Sequence, residues 1–315
     1  MRYPAFFLLL VSLILSQAPL SALAGGHKIG VLLKGRTKFW TVVEEGALAA
    51  GEKFGAEVIV KTPPTEADIA VQILMLNALA ASGVEAIIIA PAHKTTLTQP
   101  VAALAAKGIK IVVIDSPLDG NASKVFVGTN HRAAGEVAGQ LLASLIKATD
   151  QVSLFRHAQN NSATGEREAG AIEKLRETYP RIQLHGDIYS GSDSGLQLER
   201  ADLLLTKYPN TRGILASGTP GTMAMMSVLA HHEPVGGIKF VGFGFNLNEA
   251  VAAALEAGTL HGWIAQQPRE VGFKGVEAAL DLLNGKAVPP VVNVEVLVVT
   301  KANLHEPKTQ ALLKL

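Results

Sequence analysis

The 315-residue chain contains no cysteine. A disulfide framework, a thiol nucleophile and a lipid-anchored cysteine are therefore excluded. Aromatic residues make up only 5% of the chain, which is too few for a surface that binds its partner through many aromatic stacks. The formal net charge is only +1 and the sequence has no basic run, so the composition argues against a nucleic acid as partner.

Motifs of several enzyme classes are also missing. The sequence has neither a Gly-x-x-x-x-Gly-Lys phosphate loop nor a Gly-x-Ser-x-Gly nucleophile elbow. Gly242-x-Gly244 follows an apolar run, but Leu247 stands where the dinucleotide fingerprint has its third glycine. His231 and His232 are adjacent and cannot share one helix face, as metal ligands one helical turn apart would. We therefore expect no enzyme activity, no cofactor and no metal site.

The first 24 residues, 1–24, are predicted to be an export signal. Arg2 gives a positive start, residues 6–16 are apolar, and Ala22-Leu23-Ala24 is a small-x-small cleavage site before Gly25. The apolar stretch is shorter than the roughly 20 residues of a membrane span, which favours cleavage over a membrane anchor. We therefore expect a mature protein in the periplasm.

After the signal, short apolar runs alternate with amphipathic helical patterns in two similar series. The first series covers residues 29–127, and the second covers residues 131–299 and ends in a predicted strand at 294–299. Repeated βα units indicate a parallel sheet with helices on both faces. The predicted fold class is α/β, with two doubly wound parallel-sheet lobes facing each other across a cleft.

A basic and aromatic loop follows the first predicted strand. Lys34, Arg36 and Lys38 precede Phe39 and Trp40 within seven residues. In open α/β sheets, ligands bind at the carboxyl ends of the strands. The loop is therefore a candidate ligand site, although a plain connection with solvated basic side chains would have the same composition.

This loop and six later stretches resemble the type I periplasmic solute-binding proteins of ABC importers, the group that contains the ribose-binding proteins. The six stretches occur in the family's order at residues 83–91, 112–116, 126–130, 165–170, 240–243 and 264–266. The resemblance implies a monomeric binding protein that closes on a sugar-like small solute and delivers it to a permease in the inner membrane. A sugar-responsive repressor shares this fold but would carry a DNA-binding motif where this chain has its predicted signal.

The family's three crossings between the lobes give the predicted hinge. They map to Thr129 and Asn130, to Gln266 and to Val296. The resemblance therefore implies an N-terminal lobe at 27–129 plus 266–296 and a C-terminal lobe at 130–265 plus 297–315.

The resemblance also implies a set of ligand-binding residues. Phe39 and Trp40 would flank a sugar ring, and Asp115 would accept hydrogen bonds from hydroxyls. Arg167 and Gln266 would face the ligand, although a helix salt bridge and an ordinary hinge hydrogen bond are the alternatives. The full predicted set is Lys34, Arg36, Phe39, Trp40, His93, Asp115, Arg167, Asn246 and Gln266.

Two departures from the family pattern leave the solute open. Gly218 and Gly244 stand where the family usually has Asn and Asp, which argues against ribose itself; Asn246 is the predicted substitute. The strand-end loops carry several basic side chains, and His157 is among them. A neutral sugar and an anionic solute both stay open, as does a role as the ligand sensor of a membrane receptor kinase.

Overall fold

The computed structural model of the protein describes residues 26–159, 161–191, 194–231 and 237–314. The predicted export signal, Gly25 and His232 lie outside these residues. The strands are β1 (Lys28–Leu32), β2 (Glu57–Lys61), β3 (Ala86–Ile89), β4 (Lys110–Ile114), β5 (Phe126–Gly128), β6 (Gln151–Arg156), β7 (Gln183–Tyr189), β8 (Thr211–Ala216), β9 (Lys239–Gly244), β10 (Gly262–Ala265), β11 (Val291–Asn293) and β12 (Leu297–Val299).

Helices alternate with these strands through most of the chain. They are α1 (Lys38–Phe54), α2 (Ile69–Ala81), α3 (Thr98–Ala105), α4 (His131–Leu145), α5 (Ser162–Thr178), α6 (Ser194–Lys207), α7 (Thr219–Leu229), α8 (Glu249–Ala257), α9 (Pro268–Leu283) and α10 (Pro307–Gln310), with short 3₁₀ segments at Lys301–Asn303 and Ala311–Lys314. Among the described residues, no helix combines the length and the apolar character needed to cross a membrane.

The strands form two six-stranded sheets, each the centre of one lobe. Their orders are β11-β5-β4-β3-β1-β2 and β12-β10-β9-β8-β6-β7. The inner strands are apolar at consecutive positions because helices cover both faces. In β3, for example, Ile88 belongs to the same core cluster as Val43 of α1, whereas its neighbour Ile87 belongs to a second core cluster with Leu79 of α2. The predicted two-lobe α/β architecture is confirmed.

The structure of the last strands differs from two of the sequence predictions. The predicted strand 294–299 is wrong in its first half, because residues 294–296 follow β11 of the first sheet and cross between the lobes, and only residues 297–299 form a strand, β12 of the second sheet. Strand β12 also runs antiparallel to β10, so the second sheet is not wholly parallel. Leu304 and Leu312 then pack into the core of the second lobe.

In the described chain the two sheets are joined by three connections, which follow β5, β10 and β11. Thr129 and Asn130 lie in the first, Gln266 in the second and Val296 in the third. The first connection is held to the end of β11, where the backbone N–H of Asn130 donates to Asn293 Oδ1 at 3.1 Å. The assignment of residue ranges to the two lobes stays a prediction.

Helices α4 and α5 of the second lobe pack unusually closely. A Cβ on Gly135 would lie 2.0 Å from the carbonyl oxygen of Arg167, and one on Gly170 would lie 2.1 Å from that of Arg132. Only glycine allows the two backbones to approach to this distance. The contact fixes the start of α5, and with it Arg167, against the first turn of α4.

Candidate functional site

A cavity of about 720 Å³ lies between the lobes, at the carboxyl ends of strands from both sheets. Seven of the predicted ligand-binding residues line it: Lys34, Arg36, Phe39, Trp40, Asp115, Arg167 and Gln266. The predicted loop 34–40 lines the first-lobe side. Buried Gln72 holds that loop by donating to the carbonyl oxygen of Leu33 at 2.9 Å and to that of Ala90 at 2.8 Å.

The structure does not bring His93 or Asn246 to this cavity. The His93 ring is used locally, because its Nδ1 accepts from the backbone N–H of Thr96 at 3.2 Å. Beside Asn246, it is the preceding residue, Phe245, whose side chain lines the cavity. The cavity is therefore lined without these two residues, and their role as ligand contacts, with Asn246 as the substitute for the side chains missing at Gly218 and Gly244, stays a prediction.

Lys34 and Asp115 form a buried ion pair at the cavity wall. Lys34 Nζ lies 2.9 Å from Asp115 Oδ2, and the two side chains are only 6% and 8% exposed. Lys34 also donates to Ser116 Oγ at 2.6 Å, and that hydroxyl donates to Asp115 Oδ2 at 2.8 Å. Burial opposes ionisation of Asp115, but the charge of Lys34 and the hydrogen bonds from Lys34 and Ser116 hold its pKa below the usual value.

Asp115 also has a strained backbone. Its φ is +62°, and no other non-glycine residue in the described chain has a positive φ. The N–H of Ser116 donates to the carbonyl oxygen of Ile114 at 2.7 Å, which makes Asp115 the centre of a γ-turn of the rare positive-φ type. Strain of this kind persists where surrounding contacts hold it, and it is found preferentially at functional sites.

Arg167 faces the cavity from the second lobe and is 5% exposed. Its Nη1 donates to the carbonyl oxygen of Ser217 at 3.0 Å, and its guanidinium lies 4.8 Å from the centre of the Phe243 ring. Burial lowers the pKa of Arg167 to about 10, against the opposing effect of Asp115 and Glu168. The side chain is therefore charged and fixed, as required for a preorganised hydrogen-bond donor.

An aromatic cluster covers the adjoining wall and joins the lobes. The ring of Phe39 meets the ring of Trp40 edge-on with centroids 4.9 Å apart, and it meets Phe245 of the second lobe in the same way at 5.4 Å. Trp40 Nε1 donates to Glu66 Oε1 at 2.8 Å. The sequence analysis missed Phe245 and Glu66, although Glu66 follows β2 and could have been found by the same strand-end rule.

Neither of the two unusual glycines leaves an empty space. A Cβ on Gly244 would lie 1.8 Å from Trp263 Cζ2, so the indole ring occupies that place. Next to Gly218, His157 Cγ lies 3.4 Å from the position of a Cβ, and His157 lines the cavity. Burial lowers the pKa of His157, while the carboxylate of Glu66 acts in the opposite direction. The imidazole of His157 thus packs beside the position where the family usually has an asparagine side chain.

A family model described as a periplasmic binding protein domain matches residues 29–287. The D-allose-binding periplasmic protein of Escherichia coli strain K12 is 26% identical over 289 residues, which cover 89% of this chain and 91% of that protein.

Two solved structures are similar over almost the whole chain. A carbohydrate transporter solute-binding protein from Agrobacterium radiobacter, in complex with D-arabinose, has a TM-score of 0.84 and 27% identity, covering 92% of this chain and 99% of that one. An ABC transporter solute-binding protein from Agrobacterium vitis, with bound D-fucose, has a TM-score of 0.83 and 26% identity, covering 91% and 99%.

Proposed function

Because the chain belongs to the periplasmic binding protein domain family, we propose that it is the sugar-binding component of an ABC transporter. It binds a neutral monosaccharide in the interlobe cavity, closes its lobes on the sugar and delivers it to an inner-membrane permease. The proteins to which it is similar are solute-binding proteins rather than enzymes. Two of them are named as transporter proteins, which favours transport over signalling to a receptor kinase.

The observation that carries this proposal is the pairing of an aromatic wall with buried charged groups in one cavity. Rings such as those of Phe39 and Trp40 pack against the C–H faces of a sugar. Lys34 and Ser116 both contact Asp115 Oδ2, so Oδ1 is available to accept from a hydroxyl. Charged acceptors and donors make the stronger hydrogen bonds, and Arg167 supplies the donor from the other lobe.

The distribution of charge supports a neutral solute rather than an anionic one. The charge of Lys34 is balanced by Asp115 at 2.9 Å, and Glu66 adds a negative charge to the cavity wall. Arg36 and Lys38 are exposed at the cavity mouth, where water screens them. The basic side chains that the sequence places on the cleft loops therefore do not form a positively charged binding surface.

Sugar binding is expected to stabilise the protein and to change its tryptophan fluorescence. D-allose, D-arabinose, D-fucose and D-ribose are each titrated into the protein. A sugar that binds should raise the free energy of unfolding by about 2.7 kcal/mol at a hundredfold excess over Kd. Of the two tryptophans, Trp40 lines the cavity and Trp263 is fully buried. The fluorescence change should therefore disappear in Trp40→Phe and persist in Trp263→Phe.

The controls for this experiment are a matched set of anions and an assay of turnover. Sugar phosphates and sugar acids should give no larger thermal shift than the neutral sugars, and the sugar should be recovered unchanged. If no sugar of any kind stabilises the protein while an anion does, the neutral-sugar proposal is wrong.

Export to the periplasm is expected from the signal at residues 1–24. Expression of the full chain in a Gram-negative host should release the protein by osmotic shock. N-terminal sequencing should give Gly25 as the first residue, because signal peptidase cleaves after small-x-small motifs. Full-length protein that starts at Met1 and stays in the cytoplasm would contradict the predicted signal.

A further inference from the structure

His131 lies between the two charged residues of the site without lining the cavity. It is the first residue of α4, directly after the first crossing, and is 6% exposed. Its Nε2 lies 2.9 Å from the carbonyl oxygen of Asp115 in the first lobe. Its Nδ1 lies 3.3 Å from Nε of Arg167 on α5. One imidazole therefore bridges the two lobes and contacts a cavity-lining residue of each.

The protonation state of this ring follows from its two partners. The Nε of Arg167 carries a hydrogen and can only donate, so Nδ1 of His131 must be the acceptor. The carbonyl oxygen of Asp115 can only accept, so Nε2 must carry the proton. His131 is therefore a neutral imidazole in a single tautomer, and both of its nitrogens are used.

We propose that His131 is a positioning residue for sugar binding, which holds Asp115 and Arg167 in their cavity-facing orientations when the lobes are closed. The inference rests on the proposed function. The bond to Asp115 restrains the carbonyl of the strained γ-turn, and the bond to Arg167 restrains the guanidinium together with Ser217. A bound sugar then meets an acceptor and a donor that are already oriented, so less conformational entropy is lost on binding.

Burial, more than the surrounding charges, keeps the ring of His131 neutral and lowers its pKa. Arg167 on α5 and Lys34 after β1 disfavour a positive imidazole, whereas Asp115 after β4 favours it. Burial is the largest effect, and together these groups lower the pKa of His131 to about 4. Protonation would place a cation against Arg167 and remove its acceptor. The affinity for sugar should therefore fall as the pH is lowered towards 4.

Two substitutions of His131 separate a positioning role from a packing role. Phe keeps a planar ring but has neither the acceptor nor the donor, whereas Gln keeps one of each. His131→Phe should weaken binding of the best sugar from the panel by roughly tenfold to a hundredfold, as expected for a lost hydrogen bond to a charged group. His131→Gln should keep most of the affinity and should lose the component of the acid profile that belongs to the imidazole.

Nitrogen chemical shifts of the histidine rings test the bridge without any sugar. The resonances that disappear in His131→Gln are assigned to the ring of His131. In the wild type this ring should carry its proton on Nε2 and should not titrate above about pH 5. A ring that titrates near the ordinary value, or that carries its proton on Nδ1, would overturn the inference. So would sugar affinity in His131→Phe equal to that of the wild type.

Failure of the proposed function has a different signature. In that case no sugar binds the wild type, although the ring still shows its single tautomer and lowered pKa. If His131→Phe does not fold, the comparison of the wild type with His131→Gln still decides the matter. An identical acid dependence of affinity in those two proteins would contradict the role of the imidazole.

Discussion

Asp115→Asn is expected to lower the free energy of unfolding by about 3–5 kcal/mol, because it leaves the buried charge of Lys34 without its partner. Both side chains are less than a tenth exposed and their charged atoms are 2.9 Å apart, so water cannot take over the role of the lost carboxylate. Chemical unfolding of the two proteins at neutral pH measures the difference. Sugar affinity should fall as well, since a neutral amide replaces a charged acceptor.

The double substitution Lys34→Met with Asp115→Asn is the matched control. Removing both charges of a buried pair costs far less than removing one, so the double variant should recover most of the lost stability. It should not recover sugar binding, because the carboxylate is still missing. If Asp115→Asn alone were as stable as the wild type, the ion pair would not contribute as the geometry indicates.

The stability that Asp115 contributes should also depend on pH in a defined direction. Its pKa is lowered in the folded protein, so the unfolded chain takes up a proton first as the pH falls. The contribution is therefore complete above the ordinary carboxyl value of about 3.9 and is lost only as the pH falls below it. The acid sensitivity that His131 confers begins at higher pH, because the unfolded imidazole protonates near its ordinary value of about 6.5.

Gly244→Ala is expected to destabilise the protein by about 3 kcal/mol, at the upper end of the usual cost of overpacking a core. The added carbon would lie 1.8 Å from Cζ2 and 2.0 Å from Cη2 of Trp263, a fully buried ring. Gly165→Ala is the matched control, because a Cβ there meets nothing within 4 Å and alanine favours the helix. Denaturant unfolding should show a large loss for the first variant and none for the second.

A second substitution tests whether the indole ring is the cause. Trp263→Leu creates space next to residue 244, so Gly244→Ala should cost much less in that background than in the wild type. The same cost in both backgrounds would contradict the steric explanation. The family's usual Asp at this position would meet the same ring and would also bury a carboxylate, so it should be tolerated even less.

The fold could be predicted because its signals are local. The apolar residues 87 and 88 indicate a buried strand by themselves, the strand-end rule makes the loop with Lys34 a candidate site, and the family resemblance adds Asp115 and Arg167 to it. The crossing between β11 and β12 could not be predicted, because apolar residues continue on both sides of it and only the sheets show where the chain changes lobe.

The interior of the site could not be predicted, because it is formed by contacts between residues that are far apart in the sequence. The sequence presents Lys34 as a free positive charge, and only the structure places Asp115 beside it. Gly244 suggests an empty position, but the pairing of β9 with β10 brings Trp263 into that space. His131 has no signal of its own in the sequence, since its partners lie on β4 and α5.

The edge-to-face contact of Phe39 with Phe245 has a consequence for the protein when no sugar is bound. The two rings belong to different lobes, so opening the cavity has to separate them. An aromatic pair of this kind contributes about 0.5–1.5 kcal/mol, which corresponds to a roughly twofold to tenfold shift towards the closed lobes. Empty molecules therefore visit the closed form more often than they would without these rings. A permease that takes up the sugar, as in the proposed function, would then meet closed but unloaded carriers and would have to distinguish them from loaded ones.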